Sequence, residues 1–250
     1  MWRGTDARRG GAKIIHRTPH FMDIPDLSET WPKLFAELLG QQDLADAAHD
    51  PNHIRRVVTN ARRLSLEEGA DWTVVMPAAW LHDCVAVPKS SPDRRIASRL
   101  CAQQAVEWLE KYDWPYGRLD EIAHAIEAHS FSAAVVPRTL EAKVVQDADR
   151  LDALGAVGLA RTLMLGGEMK RAFYDDVDPF CTTRSPDDAV FTLDHLYSKL
   201  LTLEGTMQTP GGKAEARLRT QFLRQFLGQL GSEIGTTDSG TGGETTVTGV

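Results

Sequence analysis

Apolar residues recur at helical spacing through most of this chain, and nowhere do they alternate with polar ones for long enough to make a strand. Ile54, Val57, Val58, Ala61 and Leu64 share one helical face. That run opens with Asp50 as a cap acceptor and Pro51 at the first helical position, and it stops at Gly69. Ser91 and Pro92 repeat the start signal ahead of Ile96, Leu100, Ala105, Trp108 and Leu109. The stretches 116–129, 139–165, 187–203 and 213–234 read the same way, the second ending at Gly166 and Gly167. Residues 73–82 are ambiguous, because Pro77 forfeits a backbone hydrogen bond if it lies beyond the first turn. The expected fold is therefore all-α.

Within the 250 residues we find neither an internal repeat nor a Pro/Gly/Ser linker between 23 and 234, so one helical domain is expected there. Residues 235–250 are nearly all Gly, Thr, Ser, Asp and Glu and read as a disordered tail. Residues 1–22 carry Arg3, Arg8, Arg9, Lys13 and Arg17 against Asp6 alone, and read as a disordered basic extension or as the product of a start codon upstream of Met22. The net charge of −7 argues against a nucleic-acid coat or membrane-surface binder, which needs a basic face. No apolar run is long enough for a transmembrane helix. Cys84, Cys101 and Cys181 form neither a CxxC pair nor a disulfide framework, which fits a reducing cytoplasm.

Four of the eight histidines fall in a pattern: His53 in HIRRV, His82 beside Asp83 in AAWLHD, then His124 and His129 in IAHAIEAHSFS. Asp147, Asp149 and Asp152 follow in VVQDADRLDALGA. Neutral imidazole and carboxylate are ligands suited to Mn²⁺, Fe²⁺, Ni²⁺ or Zn²⁺. Consecutive helical residues diverge by about 100°, so His82 and Asp83 reach one ion only near a helix end or with the ion lodged between helices.

The chain resembles the HD-domain superfamily of metal-dependent phosphohydrolases, whose signature is a His, a later His-Asp doublet and a final Asp on separate helices. It is closer still to small bacterial HD hydrolases through HIRRV, LHD, HSFS, QDADRLDALGAVGLART and DHLYSKLLTLEGTMQT, over roughly residues 26–234. The resemblance implies an HD-domain helical bundle with additional C-terminal helices. It makes His53, His82, Asp83 and one of Asp147 or Asp149 the ligands of a divalent ion, with Mn, Ni, Fe, Mg and Zn all open. Asp149 is favoured, because the ligating Asp of the superfamily commonly follows Ala and precedes a basic or polar residue and Leu, as in Ala148-Asp149-Arg150-Leu151. Asp147 then stands behind the ligands or acts as a substrate-side acid. Asp83 could both ligate the ion and orient a water.

The implied reaction is hydrolysis of a phosphoester or phosphoanhydride of a small molecule, foremost a nucleotide. Nucleoside triphosphate pyrophosphohydrolysis is the version suggested by the close subfamily. Phosphate needs cations, and Arg56, Lys89 and Arg150 are the candidates, with His129 and Ser130 as further acid or phosphate donors. A homodimer is compatible with this reading. Against it stand a metal- and nucleotide-binding sensor without turnover and a di-metal HD-type oxygenase, which His124 and His129 would have to support. His124 and His195 read as structural, Asp152 as a cap or bridge, Trp72, Trp80, Trp108 and Trp114 as core aromatics, and Cys84 as a small buried residue rather than a nucleophile. His16, His20 and His49 have no partner pattern.

Overall fold

The computed structural model describes Leu27 and residues 29–41, 51–87, 95–131 and 133–236. The basic extension 1–22, the tail beyond residue 236, and Asp50, Lys89, Ser91 and Pro92 lie outside the described residues. Nine α-helices run through the described residues: α1 Thr30–Gly40, α2 Pro51–Glu68, α3 Trp72–Leu81, α4 Ala97–Lys111, α5 Leu119–His129, α6 Leu140–Asp152, α7 Gly155–Glu168, α8 Asp194–Ser198 and α9 Pro210–Ile234. A 3-10 segment, Leu200–Thr206, links the last two. The described residues hold no strand, only an isolated bridge between Ala172 and Phe191.

Local chemistry sets several boundaries. The Asp71 carboxylate accepts from Thr73 N–H at the start of α3, and the hydroxyls of Thr139 and Thr209 do the same for Ala142 and Gly212 at the starts of α6 and α9. The single helix expected over 139–165 is two helices. Ala153 and Leu154 leave the helical path, and Gly155 restarts it at φ +67°, a conformation that glycine adopts without strain.

Pro77 resolves differently from its own warning: it sits inside α3. That helix is the centre of the bundle, with Val74, Val75, Met76, Ala78, Ala79 and Leu81 all buried, and it packs chiefly against α2, α5 and α6. A helix that is apolar all round is stabilised by burial on every side, at about 1.5–3 kcal/mol per large aliphatic side chain, which offsets one lost backbone bond. Buried residues from Leu27 to Leu230 form one continuous core.

Candidate metal centre

Four helices of the bundle deliver chemistry to one place. α2 brings His53 from its first turn. α3 ends at His82, its C-cap, and Asp83 follows beyond the last turn, where the 100° divergence of consecutive helical positions no longer applies. α5 ends on His129, and α6 carries Asp149 and Asp152.

The three histidines all aim Nε2 at the common centre, because each Nδ1–H is committed elsewhere. His82 Nδ1 donates to the Ala79 carbonyl at 2.9 Å and His129 Nδ1 to the Ile126 carbonyl at 2.6 Å. His53 Nδ1 donates to the Asp152 carboxylate at 2.7 Å. Carbonyls and carboxylates only accept, so Nδ1 keeps its proton, and a neutral ring has its Nε2 lone pair left for a ligand.

The Nε2 atoms of His53 and His82 stand 3.3 Å apart, and Asp149 Oδ1 lies 3.4 Å from the first and 3.9 Å from the second. Asp83 Oδ2 is 3.9 Å from His53 Nε2 and 3.6 Å from His82 Nε2, while its Oδ1 is 3.6 Å from His129 Nε2. Neighbouring ligand atoms around a six-coordinate ion with bonds of about 2.2 Å stand about 3.1 Å apart, so the residues fit a divalent cation. Two overlapping groups could hold one: His53, His82 and Asp149, and His82, Asp83 and His129. The imidazoles of His82 and His53 are 0% and 5% exposed, the carboxylates of Asp149 and Asp83 27% and 34%, so the acidic side is the open one.

The electrostatics are those of a tightly coupled cluster. Burial pulls His53 down, but the hydrogen bond to Asp152 and the charges of Asp149, Asp152 and Asp83 outweigh it and leave its pKa raised. Burial keeps His82 below its ordinary value of 6.5. At His129 burial is overcome by the hydrogen bond and charge of Asp83, which push it up to about 9. Partial burial pushes Asp83 up, but His82 and His129 facing it hold it well below the carboxylate range.

Behind the ligands is a residue whose weight the sequence did not convey. The Asp152 carboxylate takes His53 Nδ1–H, Arg56 Nε–H at 2.6 Å, Arg56 Nη2 at 3.1 Å and Arg161 Nη1 at 2.7 Å. Read as a cap or bridge, it is the hub that orients His53. Arg56, expected to meet phosphate, holds this hub instead, and Arg161 was missed altogether. The signal was available: positions 149 and 152 lie on neighbouring faces of α6, as do 53 and 56 on α2.

Asp147 corrects the expectation of a second site acid. Two residues along a helix differ by about 200°, so Asp147 faces away from Asp149. Its oxygens accept from Gln208 N–H at 2.9 Å, Thr209 N–H at 2.8 Å and Thr209 Oγ1 at 2.7 Å, fastening the start of α9 to α6. Arg150 donates Nη1 to the Thr206 carbonyl at 2.6 Å, and Ser130 is the half-buried C-cap of α5. His124 is structural, its Nε2 accepting from Arg138 N–H at 3.0 Å, and His195 pairs with Asp188 at 2.7 Å. The Cys84 thiol is fully buried against Cys101, and that hydrogen bond together with burial raises its pKa far above that of a nucleophile.

Comparisons with known proteins agree with this geometry. A family model described as the HD domain matches residues 52–154, the span from α2 through α6. The chain is 33% identical over 192 residues to the protein YpgQ of Bacillus subtilis, covering 75% of this chain and 85% of that one. The structure of YpgQ in complex with ADP superposes with a TM-score of 0.57 at 30% identity, covering 80% of this chain and 91% of the other. An HD-superfamily hydrolase from Bacillus thuringiensis gives a TM-score of 0.59 at 34% identity, covering 82% and 98%. Among the described residues no helix is long and apolar enough to cross a membrane. With an HD-domain match over its central helices and a relative of this identity and coverage, the chain belongs to the HD-domain family.

Proposed function

We propose that this protein is a divalent-metal-dependent phosphohydrolase that cleaves a phosphoanhydride or phosphoester of a nucleotide. The observation that carries the reading is the convergence of two buried imidazole Nε2 atoms and two half-open carboxylates within 3.3–3.9 Å, all three local Nδ1 protons being held by fixed acceptors. His53, His82, Asp83 and Asp149 would hold the ion. When bound there, a divalent ion supplies Lewis-acid polarisation of a phosphoryl oxygen and a lowered pKa for water.

The protein's own groups do the rest. Asp83, the most exposed of the ligands, has one oxygen toward the ligand set and one toward His129, so it can both ligate and orient a water. His129, whose pKa the neighbouring Asp83 raises to about 9, is the proton donor proposed for a phosphate oxygen. Arg150, adjoining Asp149, is the cation for a phosphate outside the ion's reach and Ser130 a further phosphate contact, while Lys89, outside the described residues, is a phosphate contact by sequence alone. The crystal structure of YpgQ with ADP supports a nucleotide as ligand. A nucleoside triphosphate is the first substrate to try.

The second group, His82, Asp83 and His129, shares with the first His82 Nε2, whose one lone pair binds one ion, so a two-ion variant of the site would have to run through the Asp83 carboxylate and His129. A metal-to-protein ratio near two would support it and bring the oxygenase reading forward. Protein stripped of metal and reloaded with Mn²⁺ hydrolyses at least one member of a nucleotide panel. His82→Ala and Asp83→Ala, folded as judged by circular dichroism, abolish it. Turnover that survives chelation and both substitutions refutes the proposal, and tight nucleotide binding without turnover identifies a sensor.

A further inference from the structure

The loop between α5 and α6 leaves the metal centre at His129 and ends at Thr139, the N-cap of α6, and it is held at both ends. His129 is fixed through Ile126, and His124 accepts the backbone N–H of Arg138 at 3.0 Å with the Arg138 guanidinium 3.4 Å from its other nitrogen. Val135 packs against the core. Phe131, at 63%, is nevertheless the most exposed aromatic ring among the described residues. An apolar ring held in water on an anchored loop is an unmet contact.

Its position gives that contact a partner. Phe131 is two residues from His129, so their Cα atoms are at most about 7 Å apart. The Arg150 guanidinium lies over the ring, 5.9 Å from its centroid, and Arg150 adjoins Asp149. Arg150 is itself pinned by the Thr206 carbonyl, and its buried Nε has no hydrogen-bond partner. A planar cation and an aromatic face thus stand together, one next in the chain to Asp149 and the other two residues from His129. A ligand that matches has a flat π-system and an anionic tail.

Resting on the function proposed above, we infer that Phe131 and Arg150 form the subsite for the substrate's nucleobase and the phosphate next to it, the base stacking on Phe131 while the far phosphates enter the metal centre. The HSFS segment, of which Ser130 and Phe131 are part, then links catalysis to base recognition: its His serves the cluster and its Phe the base. Stacking tolerates any base, so this subsite separates nucleotides from bare polyphosphates and not one base from another.

The test uses the full-length Mn²⁺-loaded protein and two probes, ADP and inorganic pyrophosphate, titrated by calorimetry into the wild type, Phe131→Ala and Phe131→Tyr. Stacking strengths predict that Phe131→Ala weakens ADP roughly 10-fold. Pyrophosphate affinity stays unchanged and Phe131→Tyr retains ADP affinity. An exposed ring contributes little to folding, so the melting temperature stays put. Unchanged ADP affinity, or equal weakening of both probes, overturns the subsite. Nucleotide turnover by the wild type, lost in Asp83→Ala, is read separately, so a failed subsite and a failed phosphohydrolase give different results.

Discussion

Replacing Asp152 with Asn separates the two things this residue does. The carboxylate accepts four hydrogen bonds from three side chains and is 2% exposed. A carboxamide has one oxygen: in the place of Oδ2 it leaves Arg56 Nε–H without its acceptor, in the place of Oδ1 it leaves His53, Arg56 Nη2 and Arg161 without theirs, and either way its NH₂ is turned against N–H groups. Hydrogen bonds to charged groups contribute about 1.5–3 kcal/mol each. The side chains of Arg56 and Arg161 are 32% and 39% exposed, so water recovers part of that loss. We expect a net loss of about 2–3 kcal/mol. For a domain of this size that lowers the melting temperature of chelator-treated protein by about 4–12 °C.

The second effect is on the metal. Where the oxygen faces Nδ1–H, a neutral acceptor replaces the carboxylate charge and His53 is a less basic ligand; where the NH₂ faces it, the His53 proton moves to Nε2 and the lone pair needed for ligation is gone. Loss of such a supporting carboxylate weakens metal binding about 10- to 100-fold. A chelating dye competing for Mn²⁺ at 25 °C, where the variant is still folded, measures this. A lowered melting temperature with metal affinity within about twofold of wild type would refute the orienting role of Asp152.

Two further predictions concern parts of the fold behind the site. A side chain built at Gly212 collides with Asp147 Oδ2, so Gly212→Ala is expected to lose about 1–3 kcal/mol in denaturant unfolding; unchanged stability would mean that the start of α9 is not seated on Asp147. Burial pushes the Asp194 carboxyl up, but the Arg184 guanidinium and the Asp187 N–H hold it below its ordinary value of 3.8. A depressed carboxylate stabilises the fold fully above its unfolded value and loses that contribution as pH falls through the folded one. Stability of Asp194→Asn measured between pH 5 and 3 therefore falls less steeply than that of the wild type, and parallel curves would contradict the assignment.

The helices were legible in the chain because they are written in local spacing, and the candidate donors because the motifs around them resemble those of the HD superfamily. Periodicity placed a helix over Pro51–Glu68 and another ending at His129, and the metal-ligand residue types at 53, 82, 83 and 149 stood out by kind. The break at Gly155 was not legible, since a glycine within a helical pattern reads as a tolerated weakness until its backbone takes a positive φ. Nor was the helix through Pro77, because the burial that offsets its missing donor comes from three other helices.

By itself the sequence determined the all-helical class and offered the histidines and acids from which an ion's ligands could be drawn, because residue type and 3.6-residue periodicity are properties of neighbours along the chain. Only the tertiary structure decided what each acid serves. Asp149 meets histidines 96 and 67 positions away, Asp152 meets His53 across 99, and Asp147, on the same helix, is drawn off by Thr209 across 62. A carboxylate is equally good as a metal ligand, a hub for arginines and a cap for a helix start. Which of these it becomes depends on the groups that packing places opposite it, and those come from segments too distant for spacing to encode.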